Sequence, residues 1–433
     1  MKRTLIKEIK SGTTVNLRGF VENIRNTKAL LFVIIRDTTG KMQIFVSKES
    51  KPETAATFEN LGTGSVVSIT GKAVANPNVR MGGIEVIPDK IEVLSSAKLS
   101  PIDENSGPDL QMDYRWIDLR DTKKQALFTI QTVGERAMRE YLIQNGFTEF
   151  HTSKITGFAS EGGAEVFPIQ YYGKKAYLTQ SPQLYKQMAI AAGFEKFFEI
   201  GAYYRAEKSH TSRHASESFA LDFEIAYIDS HHDLMDAAEE MLKYTLAEIE
   251  KTCGALIREI RGIDFRAQTA KFPRVTLSQA YELLEKERGY KIPHETNGDL
   301  NPDGERLLGE IAREKWNSDF IYVTDFPAET RAFYSMKDET DPKLTKSFDL
   351  LYKGLEIFSG AQREHNPEKL KQNMMQKGID PKSMEFYTQF FEYGCPPHGG
   401  IGMGLARFFA RLLDLPQIRD VVFLFRGPDR LAP

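Results

Sequence analysis

Apolar and polar residues alternate with a period of two in five runs between residues 14 and 98: TVNLRGFVENI, LLFVIIRD, KMQIFVSK, SVVSITGKAV and GIEVIPDKIEVL. A period of two sends successive side chains to opposite faces of a strand, and turn-rich pieces such as DTTG and ANPN separate the runs. Five short strands in about a hundred residues predict a small all-β barrel. The texture changes at SSAKLSPIDENSGPD, dense in Ser, Pro and Asp, which reads as a linker. Beyond it the period lengthens. ALFTIQTVGERAMREYLIQNGF has helical periodicity, and HDLMDAAEEMLKYTLAEIEKTCGALI has it more strongly, with charged residues on the opposite face. KKAYLT and FFEIGAYYRAE, lying between them, are strand-like. Helices flanking a largely antiparallel sheet, an α+β domain, is the class this order supports. The expected organisation is a barrel over residues 1–100, a linker over 101–125 and the α+β domain over 126–433, with no internal repeat.

One short helix departs from ordinary patterning. In LTQSPQLYKQM, Ser181 is a plausible N-cap and Pro182 suits the first helical position. Gln183, Lys186 and Gln187 then share one face, and Leu184, Met188 and Ala191 another. Taken alone, Lys186 reads as a solvated lysine, as most lysines are.

Composition excludes several classes. With 41% apolar and 27% charged residues in 433, the chain is ordinary globular protein of two or three domains. Cys253 and Cys395 are far apart with no CxxC pattern, which argues against a disulfide framework and a cysteine-rich zinc site. MKRTLIKEIKSG lacks the apolar run of a signal peptide and no long apolar stretch follows, so a cytoplasmic protein without a membrane segment is expected. Charge is uneven: residues 1–100 hold 15 Lys+Arg against 9 Asp+Glu, and the remainder 42 against 51. A basic front end permits a polyanionic partner. The five-strand barrel fits an OB-fold, which binds single-stranded nucleic acid by stacking bases on aromatic rings. Phe20, Phe32 and Phe45 are candidate stackers, although each lies in an apolar strand that could place it in the core.

Three clusters carry candidate chemistry. In FFEIGAYYRAEKSHTSRHASESFALDFEIAYID, two strand-like ends bracket a polar tip holding Arg213, His214 and Glu217. Arg205 and Glu207 are read there as strand residues before the tip, on one face, and Asp222 and Glu224 repeat the alternation on the return strand. In SFDLLYKGLEIFSGAQREHN, a turn around Tyr352 to Gly354 makes a hairpin that brings Asp349 and Glu356 to one face of neighbouring strands. Adjacent carboxylates repel, so a positive charge belongs between them: Mg²⁺, which uses one or two carboxylates plus substrate phosphates, or else Arg363 or a lysine. PPHGGIGMGLARFFARLLDL is a glycine-rich strand entering an amphipathic helix with Arg407 near its start, where a phosphate is favoured. There is no GxxxxGK[ST] and no βαβ context, which excludes P-loop and Rossmann readings.

Together, the R-x-E of Arg205 to Glu207, the G-x-G-x-G-x-x-R of Gly400 to Arg407, and RWIDLRD before a long helix resemble the motifs of the class II aminoacyl-tRNA synthetases. The preceding barrel is similar to that of the subclass containing aspartyl, asparaginyl and lysyl enzymes. QSPQLYKQ, RAEKSHTSRHASE, GLEIFSGAQREH, GCPPHGG and LDLPQIRDV resemble the aspartyl-tRNA synthetases of the archaeal and eukaryotic kind, and the resemblance spans essentially the whole chain.

The resemblance implies a fold, a reaction and a site. The fold is an N-terminal OB-fold for the anticodon and an α+β class II catalytic domain, and the enzyme is a homodimer. The reaction is ATP-dependent activation of L-aspartate, with transfer to the 3′-terminal adenosine of tRNA. Glu161, Ser181, Gln183 and Asp222 would surround the substrate ammonium. Lys186 and Arg363 would hold its β-carboxylate, a cationic pair whose lysine the asparaginyl enzymes do not keep. Arg205 would hold the α-phosphate, and His214 and Arg407 the γ-phosphate end. Glu207 would lie by the adenine, Phe219 would stack on it, and Arg213 and Glu356 complete the ATP site. Asp349, Glu356 and Ser359 would hold Mg²⁺. Phe32, Gln43 and Glu85 would meet the anticodon, and Phe45 is assigned to the core. Three departures stand out: Ser153 where the dimer motif usually has proline, Ala406 for the usual acid before Arg407, and FLFRGPDRLAP without the proline of FPRDP. An asparaginyl-tRNA synthetase, or an inactive tRNA-binding paralogue, are the alternatives.

Overall fold

The computed structural model describes residues 2–158, 165–207 and 211–433, in two compact units, residues 1–117 and 118–433. In the first, β1 (Thr14–Asn26), β2 (Leu30–Asp37), β3 (Gly40–Ser47), β4 (Val66–Ala75) and β5 (Ile84–Ser95) close into a barrel in the order β1-β2-β3-β5-β4. Alternation explains its interior: Leu31, Val33 and Ile35 of β2 and Met42, Ile44 and Val46 of β3 are all buried. A helix that the strand pattern did not announce, α1 (Pro52–Glu59), packs Ala55 and Phe58 into the same core. The residues between the core positions face the other way. Phe32 and Phe45 are half-buried neighbours there, with ring centroids 5.6 Å apart, so Phe45 is not a core residue as expected. α2 (Pro108–Asp113) and α3 (Arg115–Asp118) follow.

The second unit begins with the long helix α4 (Thr122–Gln144) and the short strands β6 (Thr148–Glu149) and β7 (Ile155–Thr156). β8 (Pro168–Tyr171) and β9 (Lys174–Leu178) form a small sheet with β7, ahead of α5 (Gln183–Ala191). β10 (Lys196–Tyr204), β11 (Glu217–Ala226), α6 (His231–Arg261), β12 (Arg274–Thr276), α7 (Leu277–Arg288), α8 (Pro302–Trp316) and β13 (Phe320–Thr324) come next. Then follow β14 (Ser347–Tyr352), β15 (Leu355–Gln362), α9 (Pro367–Gln376), α10 (Glu385–Glu392), β16 (His398–Gly404) and α11 (Leu405–Leu412). The main sheet has eight strands in the order β12-β13-β14-β15-β16-β11-β10-β6, antiparallel except at its two edge pairs.

The pleat of this sheet creates the site. Leu221 and Phe223 of β11 and Ile401 and Met403 of β16 face α4 and α6, where Ile130, Met138, Met241 and Ile249 complete one continuous core. Ser230 and Asp233 form a capping box that starts α6, and Gly262 in the left-handed region ends it. The alternate residues, Asp222 and Glu224 on β11, therefore lie on the opposite face, over Gly402 and Gly400 of the paired β16. β14 and β15 are joined by a two-residue turn, Lys353 and Gly354, with φ of 47° and 71°, and a bulge at Leu350/Leu351 pairs Leu351 with Glu356. Asp349 and Glu356 share a face as expected. Arg205 and Glu207 do not sit on a strand: β10 ends at Tyr204, and both follow it. No helix among the described residues is long and apolar enough to cross a membrane.

Candidate active site

A cavity of about 500 Å³ opens on the polar face of the main sheet. Its inner end is built by α5, β11, β15 and β16. α5 begins at Gln183, with Pro182 rather than Ser181 at the cap position, although the Ser181 hydroxyl still accepts the Gln183 N–H at 3.4 Å. Proline has no side-chain acceptor to offer, so the serine caps from one residue further back. Both faces of the helix are covered, Leu184 packing into an apolar cluster with Phe333 and Tyr387. Gln183, Lys186 and Gln187 are buried and Met188 is exposed, because the helix lies against the polar face of the sheet rather than the apolar one.

Lys186 is 1% exposed and its three donors are spoken for. Nζ donates to Asp222 Oδ1 at 2.9 Å and to the Ile401 carbonyl at 3.0 Å, and lies 3.5 Å from Glu224 Oε2. Arg363 shares that glutamate. Its Nε donates to Glu224 Oε1 at 2.9 Å, its Nη2 donates to the Gly400 carbonyl at 3.1 Å, and its guanidinium lies over the Tyr334 ring. Among the described residues Nη1 of Arg363 makes no hydrogen bond, which leaves two N–H groups for a ligand. Burial opposes the charge of Glu224, but Arg363 and Lys186 outweigh it and hold its carboxyl below the usual range. Asp222 goes the other way: burial pushes it up, against the pull of Lys186. Two cations and two carboxylates thus form a closed, charge-balanced cluster in which leaving one partner alone is costly.

The outer end of the cavity is lined by cations and carboxylates from four segments. Arg205 is half exposed and 3.9 Å from Glu207, which also lies 3.6 Å from His214 Nε2. Burial and the cations Arg407, Arg213 and Arg205 keep His214 below the ordinary imidazole value, against the pull of Glu207. Phe219, on β11, is exposed and lines the same cavity. Arg213 donates to both oxygens of Glu305, at 3.1 Å each, and Arg407 donates to the Glu356 carboxylate at 3.4 Å.

The positive charge beside Asp349 is neither Arg363 nor a lysine. Arg331 donates to Asp349 Oδ1 and Oδ2, at 3.0 and 2.6 Å, and to Ser359 Oγ at 3.3 Å. Burial pushes Asp349 up to about 6 despite Arg331, with Glu356 adding to the rise. Asp349, Glu356 and Asp299 border a small adjoining cavity with Arg213 and Arg407.

The expected site residues of this unit thus converge, with Asp349 in the adjoining cavity and Ser181, Gln183, Lys186, Asp222 and Arg363 at the inner end. Glu161 lies outside the described residues. Sequence reasoning missed Arg331, Glu305 and the part played by Glu224. Glu224 alternates with Asp222 and was visible as a same-face acid; Arg331 sits in an irregular segment with no period to single it out.

The comparisons with known proteins agree with this geometry. Residues 107–426 match the family described as tRNA synthetases class II (D, K and N), and residues 15–94 match the OB-fold nucleic acid binding domain. The chain belongs to the class II tRNA synthetases. Among similar synthetases, the aspartate–tRNA(Asp/Asn) ligase of Aeropyrum pernix is 39% identical, with 99% of this chain and 97% of the relative covered. The aspartate–tRNA(Asp) ligase of Pyrococcus horikoshii is 38% identical, with 99% and 98% covered. Among solved synthetases, the asparaginyl-tRNA synthetase of P. horikoshii complexed with asparaginyl-adenylate has a TM-score of 0.91 at 32% identity, with 100% of each chain covered.

The synthetase's barrel presents a second group of expected residues. Gln43 donates to Glu85 at 2.8 Å, and Asn76 donates to the other Glu85 oxygen at 2.9 Å, so the two candidates form one polar cluster. Glu85 is buried, which leaves Gln43 as the more accessible of the two. Phe32 and Phe45 share the outward face with Gln43, and Arg25 lies 6.0 Å over the Phe32 ring. A pair of rings beside a basic side chain is suited to stacking unpaired bases.

Proposed function

We propose that this synthetase activates L-aspartate with ATP and transfers it to tRNA. An α-carboxylate oxygen of aspartate attacks the α-phosphorus of ATP, the bond to the β-phosphate breaks, and pyrophosphate leaves. A ribose hydroxyl of the tRNA 3′-terminal adenosine then attacks the aspartyl carbonyl, and AMP leaves. Both steps build negative charge, which positioned cations stabilise. Arg205 meets the α-phosphate, and His214, Arg213 and Arg407 the polyphosphate end. Glu207 and Phe219 bind the adenine, one by hydrogen bonding and one by stacking. Gln183 and Asp222, with Ser181 and Glu161, receive the substrate ammonium. Asp349, Glu356 and Ser359 are hard oxygen donors on one hairpin face and would hold Mg²⁺ completed by substrate phosphates, in competition with Arg331, which donates to Asp349 and Ser359. When bound, the ion supplies positive charge to phosphate oxygens.

The observation that carries the choice of aspartate is the paired burial of Lys186 and Arg363 around one glutamate, with Nη1 of Arg363 left for a ligand. A β-carboxylate offers that guanidinium two anionic acceptors. The amide of asparagine offers one neutral acceptor and an NH₂ group that meets N–H donors head on. An Arg363 N–H group denied its anionic acceptor forfeits a charge-assisted hydrogen bond, about 1.5–3 kcal/mol or roughly 10- to 100-fold in selectivity. Residues 15–94 are assigned to the anticodon through Phe32, Gln43 and Glu85. The same reading makes the enzyme a cytoplasmic homodimer, with Ser153 at the usual proline position of the dimer motif. ATP–pyrophosphate exchange tests the choice: aspartate supports it and asparagine does so at least about 10-fold less well. Exchange with asparagine alone would overturn it.

A further inference from the structure

Behind Gln183 lies a buried chain of hydrogen bonds that plays no part in the scheme above. Gln183 Nε2 donates to Gln187 Oε1 at 3.1 Å, and Gln187 Nε2 lies 3.0 Å from His398 Nε2. His398 Nδ1 lies 2.9 Å from the Pro396 carbonyl. Gln187, His398 and Tyr387 are fully buried and Gln183 is 4% exposed. The Tyr387 hydroxyl bonds Gln187 Oε1 at 2.8 Å.

Each internal member of this chain could be reversed, since an amide can flip, an imidazole can exchange tautomers and a hydroxyl can donate or accept. The terminal carbonyl cannot. A carbonyl only accepts, and at 2.9 Å it outweighs the weak Cys395 Sγ contact at 3.7 Å, so Nδ1 of His398 carries the proton and Nε2 accepts. Gln187 is then obliged to present its NH₂ to His398 and its oxygen to Gln183. Gln183 in turn donates inward, and its own Oε1 makes no hydrogen bond among the described residues. The free end of the chain is an acceptor on the wall of the cavity. Reversing the tautomer would flip both amides and offer the cavity an NH₂ group.

We infer that His398, fixed by the Pro396 carbonyl in its Nδ1–H tautomer, is a positioning residue that sets the polarity of the Gln187–Gln183 relay and so makes Gln183 an acceptor for the substrate ammonium. This rests on the assignment of Gln183 to the ammonium. Burial also holds His398 neutral, lowered to about 4 against the pull of Glu224, so both nitrogens keep their roles at neutral pH. Asp222, already engaged by Lys186, gains from a second acceptor beside it.

The test compares two variants in ATP–pyrophosphate exchange. His398→Phe keeps the ring and removes the acceptor; His398→Gln restores an acceptor at the position of Nε2. His398→Phe raises the KM for aspartate about 10- to 100-fold, the effect of a lost hydrogen bond to a charged group, and leaves the KM for ATP within about 2-fold. His398→Gln recovers most of the loss. Succinate, which is aspartate without its ammonium, inhibits His398→Phe as well as it inhibits the wild type. In a Gln183→Ala background, His398→Phe has no further effect on the aspartate KM, because the two act in series. Equal weakening of aspartate and succinate, or additive losses in the double variant, would overturn the relay. A Gln183→Ala variant with an unchanged aspartate KM would instead overturn the assignment on which it rests. Should His398→Phe fail to fold, Gln187→Met breaks the same two bonds and carries the same expectations.

Discussion

A histidine buried in its neutral form is a liability in acid, and His398 gives the clearest residue-scale consequence. Its folded pKa, about 4, lies below the roughly 6.5 of an unfolded histidine, because burial disfavours its charge and Arg363 and His365 add to the effect against Glu224. A depressed folded pKa means that the unfolded state binds the proton first. The stability is therefore present above about pH 6.5 and is lost as pH falls through the window towards 4. Asp349 has the opposite sign, since burial raises it to about 6 and its protonation relieves the fold as pH falls. The informative quantity is thus the difference between wild type and His398→Gln. In denaturant unfolding that difference shifts against the wild type by about 2–3 kcal/mol between pH 7 and pH 4.5. At this scale the sequence was legible only in part. Lys186, Arg363 and Arg407 stand out through resemblance, and Asp222 through strand alternation. The partners that give them meaning are remote: Glu224 is 139 positions from Arg363, and His398 is 211 from Gln187. No local pattern encodes such a meeting.

Elements were more readable, because period and turn chemistry act over a few residues. The β14–β15 hairpin follows from the turn around Tyr352 to Gly354, and the long helix α6 from its apolar stripe. α5 was read with the correct faces, and the burial of Lys186 came from resemblance, since periodicity reports which residues share a face and not what that face will meet. The glycines of β16 are explained by what lies over them. A Cβ at Gly400 would stand 2.0 Å from the Phe223 carbonyl and 2.2 Å from Glu224 Oε2, so the strand can pair with β11 and leave room for the shared carboxylate only without a side chain. Gly400→Ala displaces Glu224 and with it both cations. The expected outcome is a loss of about 1–3 kcal/mol in unfolding free energy together with a rise in the aspartate KM that exceeds the rise for ATP. Equal stability and unchanged kinetics would show that the strand can yield.

At the level of the molecule, the two units carry separable tasks. The barrel was almost wholly legible, since each strand alternates and short turns set the pairing; what escaped was α1, which lies between two strands and fills the barrel with only Ala55 and Phe58. The catalytic unit was legible as a class and through its motifs, not as an eight-stranded order. If residues 15–94 read tRNA, Gln43→Ala raises the KM for tRNA in aminoacylation about 10-fold or more and leaves ATP–pyrophosphate exchange within about 2-fold, because activation precedes tRNA contact. A parallel loss in both assays would assign Gln43 a folding role. The inward polar face of α5 has a broader consequence. Buried clusters of amides and ions hold a protein together less well than hydrocarbon of the same volume would, so replacing that whole face and its opposing acids by aliphatic side chains is a route to greater heat resistance. Laboratory evolution that rewarded survival at high temperature alone would drift along it, towards a sturdier chain that has forgotten its amino acid.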